Sequence, residues 1–195
     1  AASDVYKRQE VYRIYKATQD VLKQAGYRQY EISNFAQPGY ACRHNIGYWT
    51  RENYLGLGLG ASSLVENVRY TNTRQLYAYG EFCDHLQEKS PAEFLKDGEH
   101  AVPEDLWIGS CVQEQAQILT RKEQMEEFMF LGLRMRDGFY REEFTQAFGI
   151  PIEAVYGDAL NHLQQEELLL KREGRIYLTD KGMDLNNYVV AQFML

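Results

Sequence analysis

Leu168-Leu169-Leu170-Lys171-Arg172-Glu173-Gly174-Arg175-Ile176-Tyr177-Leu178-Thr179-Asp180 decides the fold of the C-terminal part of the chain. Two apolar, β-rich runs flank Arg172-Glu173-Gly174, which is the pattern of a hairpin. Thr179 follows directly, and its hydroxyl can cap a final helix running to Tyr188 and beyond. Three amphipathic segments precede the hairpin. Arg121 to Met135 offers Met125, Phe128, Met129, Leu131 and Leu133 at helical spacing. Glu142 to Phe148 is short and closed by Gly149. Ile152 to Gln165 turns Val155, Ala159, Leu160 and Leu163 inward. Three helices, a hairpin and a helix make a winged-helix arrangement over residues 121–195.

Upstream, the pattern changes. Glu10 to Ala25 reads as an amphipathic helix, with Val11, Ile14, Tyr15, Thr18, Val21, Leu22 and Ala25 on one face and Gly26 at its end. Tyr27 to Phe35 reads as a strand, Pro38-Gly39 as a turn, and Tyr54 to Leu57 as a second strand. Helix, strand, loop and strand are the grammar of an α/β layer. Two strands cannot close such a layer, so residues 10–80 read as the end of a larger sheet or barrel. Residues 81–120 read as a connecting segment. Leu76 to Leu86 is helical in pattern, and Lys96-Asp97-Gly98-Glu99 and Val102-Pro103-Glu104-Asp105 are turn signals.

The bulk numbers exclude several classes. With 195 residues, 45% of them hydrophobic, the chain can bury a real core. A net charge of −7 disfavours binding of nucleic acid through phosphate neutralisation and docking on anionic lipid. The helix Ile152 to Glu167 would be the recognition helix of a winged helix. It carries Glu153, Asp158, Glu166 and Glu167 and no Lys or Arg, so phosphates repel it. No apolar run approaches the ~20 residues of a membrane span. The three cysteines, Cys42, Cys83 and Cys111, are too scattered for a disulfide framework and suit a reducing, cytoplasmic setting.

One local run carries chemistry. In His44-Asn45-Ile46-Gly47-Tyr48-Trp49 an imidazole stands among aromatic rings. Such a niche can supply an axial nitrogen to a metal-centred macrocycle while the rings cover its apolar faces. A histidine of this kind can equally do no more than hydrogen-bond its own loop. Cys42, two residues earlier, is a secondary ligand candidate through its thiolate, although a small buried hydrophobe is the commoner role. The run Gly56-Leu57-Gly58-Leu59-Gly60 is not a dinucleotide fingerprint. Its simplest role is to let two backbones approach closely.

The stretches Tyr30-Glu31-Ile32-Ser33-Asn34-Phe35-Ala36, Cys42-Arg43-His44-Asn45 and Tyr54-Leu55-Gly56 resemble the HemW heme chaperones. These are relatives of the oxygen-independent coproporphyrinogen III oxidases in the radical S-adenosylmethionine superfamily. Glu126-Glu127-Phe128-Met129-Phe130-Leu131-Gly132-Leu133-Arg134 and Leu178-Thr179-Asp180-Lys181-Gly182 resemble the C-terminal domain of the same family. The resemblance implies an α/β class (α+β for this piece): the last β/α units of a partial TIM barrel, then a winged-helix-like domain. The family's His-Asn-x-x-Tyr-Trp motif is matched at His44, Asn45, Tyr48 and Trp49. By resemblance, His44 is the axial heme ligand, Tyr48 and Trp49 form the apolar wall, and Asn45 orients the loop or binds a propionate. Gly56, Gly58 and Gly60 would help shape an S-adenosylmethionine pocket. Relatives place Pro and His around that segment where this chain has Leu59 and Ser62.

The implied function is heme binding and delivery to apo-hemoproteins such as respiratory enzymes. The alternative is oxygen-independent coproporphyrinogen III dehydrogenation in porphyrin biosynthesis. The family's [4Fe-4S] cluster is held by a C-x-x-x-C-x-x-C set, a spacing these three cysteines do not reproduce. The cluster and adenosylmethionine are therefore expected on a longer protein, and this chain is not expected to be catalytic alone. Ala1 to Gln9 resembles a translated sequencing adapter, reads as a non-native scar and is set aside. The protein is then expected to continue upstream.

Overall fold

The computed structural model describes residues 2–81 and 113–195. It divides into two compact units, Ala1–Arg51 with Met125–Leu195, and Glu52–Gln124. Every strand pairing in it is antiparallel. Helices and antiparallel sheets stand side by side, the α+β form of the expectation.

The first unit begins with α1 (Ala2–Gln24). Its expected inward face is only partly inward, because Val11, Ile14 and Val21 are 65%, 61% and 64% exposed. The face that packs is more polar. The Tyr15 hydroxyl donates to the Ile32 carbonyl (3.0 Å), and the Gln19 amide donates to Gln29 Oε1 (3.0 Å).

The single strand expected over Tyr27 to Phe35 is instead two short ones, β1 (Arg28–Gln29) and β2 (Phe35–Ala36), paired Arg28↔Ala36 and Gln29↔Phe35. The fold-back is local chemistry. The Glu31 carboxylate accepts from Ser33 N–H (2.8 Å) and from the Asn34 amide (2.7 Å), and side chains that bond nearby backbone favour turns over strands. Next comes α2 (Arg43–Trp49), a helix where the sequence reads as a loop.

The C-terminal part starts with α3 (Arg121–Gly132), three residues shorter than the pattern suggests. Residues beyond Gly132 turn back, and Arg136 N–H donates to the Tyr30 carbonyl at 3.0 Å. Then follow β6 (Phe139–Tyr140), α4 (Arg141–Phe148), α5 (Glu153–Gln165), β7 (Leu169–Arg172) and β8 (Arg175–Leu178). The sheet order is β6-β8-β7. Glu173 (φ 52°) and Gly174 (φ 77°) both lie in the left-handed region, as the two central residues of a tight hairpin turn require. Thr179 Oγ1 accepts from Gly182 N–H (3.0 Å) and caps α6 (Asp180–Asp184). The final helix breaks at Leu185 (φ −107°, ψ 25°) and resumes as α7 (Asn186–Ala191). The break lets Met183, Val189 and Phe193 all reach the core, which an unbroken helix serves less well.

That core joins Met129, Leu133, Phe144, Ile152, Leu160, Leu163, Leu169, Ile176 and Leu178. Phe128 meets Phe139, Phe144 and Phe148 edge-on at 4.9, 5.4 and 5.8 Å, the arrangement ring quadrupoles prefer.

In the second unit, β3 (Ser62–Val65), β4 (Val68–Asn72) and β5 (Gln113–Ile118) form a sheet in that order. The β3–β4 turn again places two residues, Glu66 (φ 47°) and Asn67 (φ 67°), in the left-handed region. The expected strand Tyr54 to Leu57 shrinks to one bridge, Tyr54↔Leu64. Past it the Gly56 N–H turns to Ser63 Oγ (2.9 Å) and not to a neighbouring strand. Residues 76–81 are helical. The rest of Leu76 to Leu86, the two turn signals, Cys83 and Cys111 lie outside the described residues. Among the described residues no helix is long and apolar enough to cross a membrane.

Candidate functional site

The helix α2 is built by its own spacing. His44 and Tyr48 are four residues apart, so they share a face. Tyr48 Oη lies 2.9 Å from His44 Nε2, and the two rings meet edge-on with centroids 4.7 Å apart. Both residues are exposed. Tyr48 thus brings an oxygen, as well as a ring, to the imidazole. Cys42 precedes the helix at its cap position in extended backbone. It is exposed and free, not the buried hydrophobe that is its commoner role.

Asn45 and Trp49 occupy the adjacent face and turn toward the protein. The Asn45 amide donates to the Tyr30 hydroxyl at 3.1 Å. The Trp49 ring is half-buried, with the Arg134 guanidinium stacked over it at 4.2 Å. Arg134 also pairs with Glu31 at 3.2 Å, and Glu31 is fully buried. In the turn that follows α2, Arg51 pairs with Glu127 at 3.2 Å, both side chains nearly buried. The Arg51–Glu127 ion pair thus ties the end of the helix to α3, and the Arg134 stack on Trp49 ties it to the segment just after α3. Tyr30, Glu31, Arg51, Glu127 and Arg134 are the residues that sequence reasoning does not assign. Glu31 and Arg134 sit 103 positions apart, and no local period links them.

A cleft of about 1030 Å³ lies in the same unit. Lys23, Arg28, Tyr30, Phe35 and Ala41 line part of it. It reaches Ala41, next to Cys42, and Tyr30, the partner of Asn45.

The glycine segment lies in the second unit. Asn72, itself buried, donates from Nδ2 to the carbonyls of Gly56 and Gly58, each at 3.0 Å. Gly58 N–H donates to the Tyr79 hydroxyl (2.8 Å), and Gly60 N–H to the Thr73 carbonyl (3.1 Å). A Cβ on Gly56 would stand 2.2 Å from the Ser62 carbonyl, so this position needs glycine for close backbone approach. Gly58 and Gly60 need it for their left-handed φ of 99° and 67°.

No group of three His, Cys, Asp or Glu side chains able to hold a metal ion occurs among the described residues. The donor set there does not fit a four-iron cluster. It does offer an imidazole, a phenol and a thiol within seven residues at an exposed helix.

Comparison with known proteins places the chain in one family. Residues 119–185 match the HemN C-terminal domain. Over 182 residues, 93% of the chain, the sequence is 36% identical to the heme chaperone HemW of Lactococcus lactis. It is 31% identical over 181 residues to the HemW of Bacillus subtilis. The chain belongs to the HemW family. It spans 41% and 42% of the length of those two relatives. Its fold is also that of the coproporphyrinogen III oxidase HemN of Escherichia coli, a radical SAM enzyme. That likeness has a TM-score of 0.60 at 17% identity and covers 93% of this chain and 40% of HemN.

Proposed function

We propose that this HemW-family chain is the part of a cytoplasmic heme chaperone that holds the heme, which the intact protein delivers to apo-hemoproteins such as respiratory enzymes. The observation that carries the reading is α2. Its His44 is exposed on a helix anchored from behind by Arg134 and Glu127, so the imidazole is accessible while its backbone is fixed. His44 would supply a nitrogen ligand to the heme iron, with Cys42 as a secondary candidate. Asn45 and Trp49 set the helix, and Lys23 and Arg28 in the neighbouring cleft suit the carboxylates of a tetrapyrrole.

A [4Fe-4S] cluster and S-adenosylmethionine belong, on this reading, to the longer protein, where Gly56, Gly58 and Gly60 would border the adenosylmethionine. Oxygen-independent coproporphyrinogen III dehydrogenation is the second reading, favoured by the fold shared with HemN. Anaerobic assay of the full-length protein separates the two, since release of protoporphyrinogen IX establishes the oxidase.

The direct test is titration of the purified chain with heme. A saturable one-to-one Soret shift is expected in the wild type. His44→Ala is expected to bind more weakly with a displaced Soret band. Unchanged affinity and an unchanged band in that variant overturn the ligand assignment.

A further inference from the structure

We propose that the outer face of the β6-β8-β7 sheet is a docking surface for an extended, acidic segment of a partner protein. The sheet has two unlike faces. Leu169, Ile176 and Leu178 turn inward and are buried. The opposite face carries two cross-strand rows. Tyr140, Arg175 and Arg172 align across β6, β8 and β7, and Tyr177 stands opposite Leu170 in the next row. Tyr140 and Leu170 are 41% and 42% exposed, and Arg172 is exposed as well. Tyrosine and arginine are among the side chains that carry most binding energy at protein interfaces.

Charge selects the partner. Arg172 and Arg175 are direct cross-strand neighbours, and like charges so placed repel. Neither row holds an acid. Arg175 is fixed, its guanidinium stacked over the Tyr140 ring at 4.2 Å and donating to the Asp137 carbonyl at 2.9 Å. Arg136 joins the two arginines along a cleft of about 570 Å³. Asp137, Glu173 and Asp180 also border that cleft. Asp180 pairs with Arg136, and Glu173 lies in the hairpin turn beyond the rows. A carboxylate set between Arg172 and Arg175 offsets their repulsion and accepts charge-assisted bonds from both. The chain as a whole carries −7, so this basic row is a local exception that an acidic partner can find.

Shape selects an extended segment. β7 is an outer strand of its sheet, so a further strand can be laid along it. Alternate side chains of that strand share one face. An acidic residue then stands beside the arginines, and an apolar residue two positions on stands beside Leu170 and Tyr177.

The test is fluorescence anisotropy of a labelled peptide of repeating Glu-Thr-Val-Thr, added to the purified chain without heme. Saturable binding that weakens as salt rises is expected. The same peptide with Gln in place of Glu is expected to bind on the order of tenfold more weakly, as is the Arg172→Glu variant with the acidic peptide. Arg172→Lys keeps the charge and loses the planar fork, so an intermediate affinity is expected. Because Arg172 is exposed, both variants are expected to keep the wild-type urea midpoint. Amide shifts on adding the peptide are expected in β7 and β8.

Equal affinity for the two peptides overturns the proposal, as does wild-type affinity in Arg172→Glu or amide shifts confined to other elements. Single-stranded DNA that binds more tightly than the peptide through Arg172 overturns it in favour of nucleic acid. A wild-type dimer in light scattering that Arg172→Glu dissolves overturns it in favour of a second copy. None of these readouts involves heme, so each leaves the reading of α2 untouched.

Discussion

Single residues carry most of the risk in this molecule. Glu31 is fully buried, and its charge is met by Arg134, by Ser33 N–H and by the Asn34 amide. Breaking a buried pair by removing one partner leaves an uncompensated charge. Arg134→Gln is expected to cost about 2–3 kcal/mol in urea unfolding, less than a wholly buried pair because the arginine is partly exposed. The same variant removes the cation over Trp49 and, on the proposed heme reading, is expected to weaken heme uptake as well. Tyr156 is the opposite case. Its hydroxyl is buried without a hydrogen-bond partner, and burial, then the nearby Glu126 charge, raises its pKa. Tyr156→Phe removes that unmet group and is expected to stabilise by about 1 kcal/mol, read as a higher urea midpoint with unchanged slope.

At the scale of elements, α3 shows how a helix start is secured. Thr120 Oγ1 accepts from Glu123 N–H (3.3 Å), while the Glu123 carboxylate accepts from Thr120 N–H (2.7 Å) and from the Thr120 hydroxyl. This reciprocal box is written in the sequence as Thr-x-x-Glu. Thr120→Ala is expected to cost about 1 kcal/mol. Those Thr120 hydrogen bonds hold the Glu123 carboxyl below its usual range. Its contribution is therefore complete above the unfolded carboxylate value and fades as pH falls through the lower folded value. Hydrogen exchange at the first turn of α3 is expected to quicken over that acid window, and to lose this pH dependence in Glu123→Gln.

The helix α2 belongs to the same scale with the opposite balance. Seven residues are too few to persist alone in water, so its order comes from contacts such as the Arg51–Glu127 ion pair and the Arg134 stack on Trp49. That explains why its sequence reads as a loop. The hairpin at Arg172-Glu173-Gly174 was legible because two left-handed residues are needed there and glycine supplies one. The β3–β4 hairpin carries no such signal, because Glu66-Asn67 takes the same conformation without a glycine.

For the whole molecule, apolar surface is unevenly spent. The core of the first unit is dense, and Phe144→Ala there is expected to cost about 3–5 kcal/mol in urea unfolding. By contrast Val11, Ile14 and Val21 stand exposed along α1, at helical spacing. Such a stripe promotes association. Ile14→Lys with Val21→Lys is expected to lower self-association in light scattering without altering the fold.

The sequence by itself determined the elements whose information is local. Periodic apolar positions specified α3, α4 and α5, the Glu-Gly turn specified the β7–β8 hairpin, and Thr179 specified the cap after it. The motif residues and the family could also be read there, because both live in short contiguous strings. Only the tertiary structure decided that Tyr27 to Phe35 folds back, that His44 and Tyr48 share a helix, and that Glu31, Glu127 and Arg134 stand behind it. These follow from contacts between residues as many as 103 positions apart. Burial makes such contacts strong, and burial is a property of the folded chain that no neighbouring residue records.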